Sequence, residues 1–176
     1  RGCQRACRFC HAGTVYRPVR EKSLAVLKQQ AESQLQNTGY DDISLASLST
    51  LDYSGVKPLV KHLVSTYGER GIGVSLPSLR VDAFSIDLAN EVQKVRKATL
   101  TLAPEAGTQR LRDVINKNIT DEDLFQAVEA AFRSGWKSVK LYFMLGLPTE
   151  TEADLDGIME LLGRVKAIGS RHSRRS

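Results

Sequence analysis

The chain has 176 residues, of which 41% are hydrophobic and 26% charged, a balance typical of one globular domain and unlike that of a disordered or fibrous chain. No apolar run approaches the roughly 18 residues that a membrane-spanning helix needs, so a membrane protein is excluded. The net charge of +5 resides at the two ends, because residues 1–22 carry six basic residues and one acidic, and residues 164–176 carry five basic and none acidic. The part between is acidic, so nucleic-acid binding is possible but unsupported, and we expect residues 170–176 to form a solvated basic tail.

Helix-type and strand-type patterns alternate along the chain. Apolar residues at helical spacing predict helices over residues 23–38, 57–67, 86–95, 120–135 and from 151 onward, and strand-like segments lie at 41–47, 71–76, 98–102 and 139–145. Thr120 and Asp123 have the spacing of a capping box at the start of the fourth helix. This alternation indicates parallel strands joined by right-handed crossovers, as in a doubly wound sheet or a barrel. With only four strands, residues 1–176 are expected to be one domain, a fragment of a larger α/β barrel that is truncated at both ends.

All three cysteines of the chain lie within its first ten residues, at Cys3, Cys7 and Cys10. An odd number in so short a segment does not suit a disulfide framework, which indicates a reducing, cytoplasmic location. Three thiolates on one loop can converge on an iron–sulfur cluster, zinc or copper(I). A closed zinc site would need a fourth ligand, for which His11 is the candidate. Three cysteines on a four-iron cluster would instead leave one iron open to a cofactor or substrate.

The Cys-x3-Cys-x2-Cys spacing, with the aromatic Phe9 just before the last cysteine, resembles the signature of radical S-adenosylmethionine (SAM) enzymes. Longer segments are similar to an uncharacterised subgroup of that superfamily whose members carry an upstream cobalamin-binding-like domain. These segments are RGCQRACRFCHAG at 1–13, YRPVR at 16–20, SLRVD at 78–82, APEAGT at 103–108 and GLPTET at 146–151.

The resemblance implies a fold, two cofactors and a reaction. The fold would be a partial (β/α)6 TIM-like barrel, in which residues 1–22 form the cluster-binding loop and this chain lacks strand one and strand six. A [4Fe–4S] cluster on the three cysteines would leave one iron to be chelated by SAM, whose reductive cleavage gives a 5′-deoxyadenosyl radical for hydrogen abstraction from an unknown substrate. A small flavodoxin- or ferredoxin-like protein would donate the electron. Cobalamin would bind, if at all, in a domain outside this chain.

Barrel enzymes carry their chemistry at the carboxyl ends of the strands, and the resemblance assigns SAM contacts there and to Phe9. Ser49 lies where many relatives have Gly-Gly-Glu, a segment that meets the SAM amino group. Glu105 matches a SAM-contacting Glu or Gln, and Lys117 matches a basic residue that pairs with the SAM carboxylate. Gly146 and Leu147 resemble the segment against which adenine packs. The plainer alternatives are a helix-capping or solvent-facing role for Glu105 and an exposed loop position for Lys117.

Two other functions and several secondary residues remain open. The cysteines could serve a non-catalytic iron–sulfur or zinc module, or the enzyme could be an RNA-modifying methyl- or methylthiotransferase. Arg80 and Asp82 could face substrate or pair with each other. Lys140 would be a buried cation if its face of the last strand pointed into a barrel, and Trp136 is expected to pack in the core.

Overall fold

The computed structural model describes residues 1–76, 81 and 100–173, in which helices alternate with short parallel strands. The helices are α1 Ala12–Val15, α2 Leu24–Thr38, α3 Val56–Tyr67, α4 Gln109–Val114, α5 Asp121–Arg133 and α6 Glu152–Ser173, with single 3-10 turns at Thr50–Asp52 and Gly68–Arg70. The strands are β1 Asp42–Ser44, β2 Gly73–Ser75, β3 Leu100–Glu105 and β4 Val139–Phe143. The predicted helix at 86–95, and with it Arg80 and Asp82, lies outside the described residues.

The four strands form two parallel pairs. β1 pairs with β2, with Ile43 opposite Val74, and β3 pairs with β4, with Leu102 opposite Leu141. Within the described residues no pairing joins β2 to β3, so the barrel that the resemblance implies is not seen. The confirmed part of the fold prediction is a mixed α/β chain with parallel strands.

Helices α2 and α3 cover the β1–β2 pair. Val60 and Leu63 of α3 are completely buried and pack with Ala31 and Leu35 of α2. Gly39 ends α2 in the left-handed conformation, φ 69°, which glycine adopts without steric cost. The helical spacing of the apolar residues therefore predicted both helices and their buried faces.

Helices α5 and α6 cover the β3–β4 pair in the same way. The Thr120–Asp123 capping box is present at the start of α5, and Leu124 and Val128 are buried against Leu102. Trp136 is 9% exposed and belongs to the same cluster, which confirms its predicted packing role.

The carboxyl-terminal region differs from the sequence prediction. Helix α6 continues to Ser173, so residues 170–173 of the predicted solvated tail are helical. The reason is a tertiary contact with α5: His172 Nε2 lies 2.7 Å from Glu129 Oε1, and its ring stacks at 6.5 Å on Phe132.

The structure differs from the sequence analysis at two further places, Lys140 and helix α4. Lys140 is exposed, with its ammonium 5.0 Å from the ring centre of Tyr142, because in the described residues its face of β4 is not covered. The sequence analysis also missed α4, a six-residue helix that Thr108 caps. Among the described residues, no helix combines the length and apolar character needed to cross a membrane.

Candidate cofactor site

The three cysteines lie on an irregular loop that precedes α2. None forms a disulfide and all are half-buried, and the Cys10 amide donates to the Cys7 carbonyl at 3.0 Å, which makes a tight turn between them. No group of three or more His, Cys, Asp or Glu side chains in the described part of the chain is arranged to hold a metal ion. The three free thiols fit an iron–sulfur cluster in chemistry and number, but they do not converge in this structure, so the metal assignment of Cys3, Cys7 and Cys10 stays a prediction.

The segment 16–20, near the end of the cysteine loop, contacts the beginning of the loop. The Arg20 amide donates to the Arg1 carbonyl at 2.7 Å, and the Arg1 guanidinium lies 5.4 Å from the ring centre of Tyr16. Gly2 has a φ of 98°, and a Cβ there would lie 2.7 Å from the Tyr16 carbonyl oxygen. A glycine is thus required beside Cys3 because another part of the loop crosses at backbone contact.

One side of the loop is attached to the segment that follows β1. The Arg5 guanidinium forms an ion pair with Asp52 in which Nε donates to Oδ2 at 2.8 Å and Nη2 donates to Oδ1. The Ser54 hydroxyl donates to Glu21 Oε2 and the Ser54 amide to Glu21 Oε1 at 3.0 Å, and these two bonds, the hydroxyl's first, lower the pKa of Glu21. These contacts hold the loop against the carboxyl end of β1.

The other side of the loop is attached to the turn that follows α4. The Arg8 amide donates to the Ile115 carbonyl at 2.9 Å, and its guanidinium donates to the Val114 carbonyl at 2.6 Å. The Asn116 side-chain amide donates to the Ala6 carbonyl at 2.9 Å. The loop therefore contacts both halves of the chain, through Asp52, 47 positions from Arg5, and through Asn116, 110 positions from Ala6.

Three of the predicted SAM contacts meet at this second attachment. Lys117 Nζ lies 2.9 Å from Glu105 Oε1 and 5.7 Å from the ring centre of Phe9. Lys117 is 7% exposed, so it is a buried cation rather than the exposed loop lysine of the alternative reading. Glu105 is not the cap of the helix that follows it, whose N-cap is Thr108, and its carboxylate accepts from Lys117.

Glu105 occupies a strained position at the end of β3. Its φ is 71°, a region that non-glycine residues rarely adopt. The register of the β3–β4 pair shifts between Leu102 and Glu105, and the Met144 amide donates to the Glu105 carbonyl at 2.8 Å. Strain of this kind persists where the surroundings fix the backbone, and such residues cluster at functional sites.

Gly146 and Leu147 lie just beyond β4, next to the Glu105 strand end. Gly146 is exposed with φ 78°, and an added Cβ would meet no atom of the described residues within 4 Å, so among them its backbone is open to a flat ligand. Its amide donates to Glu150 Oε1 at 3.0 Å. The Leu147 side chain is buried with Ala106 and Ile115 and contributes to the core.

A buried carboxylate fixes this strand end to α6. Asp154 accepts from the hydroxyl of Thr108, from Arg110 and from the Thr151 hydroxyl at 2.7 Å. The Thr108 hydrogen bond and then the Arg110 contact hold the pKa of Asp154 well below its usual range. Gly107 packs so closely on α6 that a Cβ would lie 2.3 Å from the Ile158 amide nitrogen. These contacts join the end of β3 to the start of α6.

Ser49 lies in a separate part of the site, in a cavity of about 1050 Å³ that Cys3 also lines. The Ser49 Oγ is buried and has no hydrogen-bond partner among the described residues. A buried hydroxyl without a partner carries a free-energy cost, so this atom is a candidate contact for a polar ligand group.

The structure thus brings the predicted residues into two groups: Phe9, Lys117 and Glu105 in one, Ser49 and Cys3 in the other. The sequence analysis missed Asn116 and the Arg5–Asp52 pair. Asn116-Lys117-Asn118 does contain a signal, since two asparagines around a lysine favour left-handed turns, and both have positive φ. No local pattern pairs Arg5 with Asp52.

Parallel strands covered by helices, with a cysteine loop docked at the carboxyl ends of β1 and β3, define an α/β protein with a candidate cofactor site at its strand ends. The family model that matches is that of the radical SAM superfamily, over residues 1–162. The chain belongs to the radical SAM superfamily.

One relative is the uncharacterized protein MJ0966 of Methanocaldococcus jannaschii. The two are 38% identical over 166 residues, which cover 94% of this chain and 36% of the relative. The chain therefore spans about a third of the length of that relative. Membership of the superfamily implies a [4Fe–4S] cluster and SAM, for which the three cysteines are present, whereas the cobalamin-linked subgroup stays a prediction.

Proposed function

We propose that Cys3, Cys7 and Cys10 hold a [4Fe–4S] cluster and that SAM binds between this loop and the end of β3. The observation that carries the proposal is the attachment of the cysteine loop to the turn that bears Lys117, beside Glu105. The cluster held by these cysteines would supply the electron for reductive cleavage of SAM, and the cleaved SAM would supply the group that removes a hydrogen atom from the substrate.

Lys117 and Glu105 provide one cation and one anion beside the loop. The methionine end of SAM carries an ammonium and a carboxylate, so Glu105 would accept from the first and Lys117 would donate to the second. The direct Lys117–Glu105 contact keeps both charges paired before SAM binds, which matters because an unpaired buried charge is costly. When SAM binds, the one pair between Lys117 and Glu105 would be replaced by two pairs with SAM, so neither side chain would be left without a partner.

The remaining contacts follow from exposure and hydrogen bonding. The open backbone at Gly146 would receive the adenine ring, and Phe9 is 39% exposed, so part of its ring is available for packing. The Ser49 hydroxyl, which is buried on the cavity wall and has no partner in the part of the chain that the structure describes, would donate to or accept from a polar group of SAM or of the substrate.

The full-length protein would also need an electron donor and a substrate. A small flavodoxin- or ferredoxin-like protein would supply the electron. An RNA substrate would show itself by a steep loss of binding with rising salt, because released counterions drive such binding. Cobalamin would require a domain outside this chain.

The test is anaerobic reconstitution of the full-length protein with iron and sulfide, followed by electron paramagnetic resonance of the reduced sample before and after SAM is added. We expect a [4Fe–4S] signal that changes on addition of SAM, and 5′-deoxyadenosine in the same sample. Cys7→Ser should abolish the signal. His11→Ala is the matched control and should retain it, because His11 is exposed and has no part in the proposed site.

The alternatives give different results in the same experiment. A structural zinc site closed by His11 would bind zinc in place of the cluster and lose it in His11→Ala. A non-catalytic iron–sulfur module would give a signal that SAM leaves unchanged and would form no 5′-deoxyadenosine. Either result would overturn the proposal.

A further inference from the structure

The turn between α4 and α5, residues 115–120, supports the cysteine loop, and we call this turn the platform. Arg112 is 1% exposed, and its guanidinium donates to the Ala106 carbonyl at 2.9 Å and to the Ile119 carbonyl at 3.1 Å. It also forms an ion pair with Asp121. One buried cation thus ties the end of β3, the turn and the start of α5 to one another.

Asn116 projects from this platform onto the cysteine loop. Its φ of 53° is in the left-handed region, where asparagine is among the better-tolerated residues. The backbone there is held by bonds from the Asn116 amide to the Asp113 carbonyl at 3.0 Å and from the Lys117 amide to the Arg112 carbonyl at 2.9 Å. The Asn118 side chain donates to Asn116 Oδ1 at 3.3 Å, which leaves Nδ2 directed at the loop.

The atom that Asn116 holds is the carbonyl oxygen of Ala6, between Cys3 and Cys7. Ala6 has a φ of 55°, which is unfavourable for a residue with a side chain. A bond from Nδ2 at 2.9 Å stabilises this peptide orientation. The next residue but one, Arg8, donates its amide to the Ile115 carbonyl on the same platform.

We infer that Asn116 is a positioning residue for the cysteine loop: its side-chain amide fixes the Ala6 peptide and so sets the path of the chain from Cys3 to Cys7. The inference rests on the proposed function, because it assigns the loop to a cluster. It goes beyond that function in giving the turn two tasks, since Lys117 faces SAM while the preceding residue holds the loop that carries the cluster ligands.

Two variants separate the side chain from the backbone. Asn116→Asp keeps the shape and the tolerance for positive φ but replaces the donor with an acceptor that repels the Ala6 carbonyl. Asn116→Gly keeps the backbone conformation and removes the side chain. The matched control is Asn37→Asp, the same chemical change at an exposed asparagine of α2 whose side-chain amide donates to Ser33 Oγ on the same helix.

The first measurement is iron loss from the reconstituted full-length protein to an excess of chelator. Loss of one hydrogen bond changes an equilibrium by roughly threefold to tenfold, so we expect both Asn116 variants to release iron about that much faster than the parent and Asn37→Asp to match the parent. We also expect the resonance signal of the reduced cluster to broaden in the Asn116 variants only, because the loop then occupies more than one conformation. A general loss of stability would not produce that broadening.

The second measurement is amide hydrogen exchange of the metal-free protein. In both Asn116 variants the Arg8 amide should exchange faster than in the parent, while amides of α3 stay unchanged. Parent-like exchange and iron release in Asn116→Asp would overturn the inference. If the parent takes up no cluster, the proposed function fails, and exchange at Arg8 still decides whether Asn116 holds the loop.

Discussion

At the scale of single residues, the candidate site contains two side chains, Glu105 and Lys117, that the sequence analysis assigned to SAM. The structure places these two side chains in contact with each other. Glu105 and Lys117 are twelve positions apart and their charged atoms are 2.9 Å apart. The two side chains could form a purely structural ion pair, or each could bind one end of SAM. The effects of substitution on SAM affinity and on stability distinguish these two roles.

A double-mutant cycle on Glu105→Gln and Lys117→Met makes that distinction. If each residue binds its own end of SAM, each single variant should raise the SAM dissociation constant roughly tenfold or more, the effect of a hydrogen bond to a charged group, and the two losses should add. The loss of thermal stability should not add, because each single variant leaves one charge buried without its partner. Calorimetric SAM titration and thermal unfolding of the four proteins measure both quantities, and a double variant that regains SAM affinity would identify a purely structural pair.

Asp154 gives the site a defined dependence on pH. Its pKa is lowered from the ordinary 3.8, first by Thr108 and then by Arg110, so the folded state favours the ionised form. The stabilisation is therefore complete above the unfolded pKa near 4 and is lost as the pH falls toward the folded pKa. Asp154→Asn should be less stable than the parent at pH 7, and the difference should shrink below about pH 4. Denaturant unfolding across that range is the measurement, and a difference that is constant with pH would contradict the assignment.

At the scale of elements, a close approach of backbones joins the β3 end to α6. Gly107→Ala would place a methyl group 2.3 Å from a backbone nitrogen of α6 and 2.5 Å from the Asp154 carbonyl oxygen. Overpacking of this kind costs about 3 kcal/mol, which denaturant unfolding would detect. Gly163→Ala is the matched control on the same helix, since nothing lies within 4 Å of its added Cβ, and it should be stabilised by about 1 kcal/mol. Equal effects of the two substitutions would show that the approach is not rigid.

The elements also show how far sequence carries the fold. Periodic apolar residues and end signals such as Gly39 and the Thr120–Asp123 box act locally, so they predicted α2, α3 and α5 together with their buried faces. Helix α4 was missed because six residues are too few to show a period. The extent of α6 depends on the contact between His172 and Glu129, 43 positions away, which no local pattern records.

The candidate site likewise has features that are local in the sequence and features that depend on contacts between distant residues. The cysteine spacing and the strand-end positions are visible in the sequence, and they predicted which residues would lie near the cofactors. The attachments of the loop, Arg5 to Asp52 and Asn116 to Ala6, join residues 47 and 110 positions apart. They depend on the folded arrangement, so only the structure reveals them.

At the scale of the whole molecule, the cysteine loop is shared by the two halves of the chain. It binds Asp52 beside the β1–β2 core and the Val114–Asn116 turn beside the β3–β4 core. A cluster that fixes the loop should therefore stabilise both cores together.

Removal of the iron tests this coupling. A ligand present at a hundred times its dissociation constant stabilises a protein by about 2.7 kcal/mol, so the reconstituted full-length protein should unfold at a higher temperature than the metal-free form. Hydrogen exchange should slow in α3 and in α5 alike when the cluster is present. Protection confined to residues 1–22 would show that the loop does not join the halves.

The way in which the loop is attached also bears on which substitutions it can accept during evolution. Several of its attachments end on main-chain oxygens, at Ala6, Val114, Ile115 and Arg1, and every residue type supplies such an atom. Side chains that make none of these contacts, such as Gln4, are therefore free to drift, and Ala6 should even prefer glycine. Sequence divergence among relatives would then accumulate inside the cysteine motif, between ligands whose own positions stay fixed.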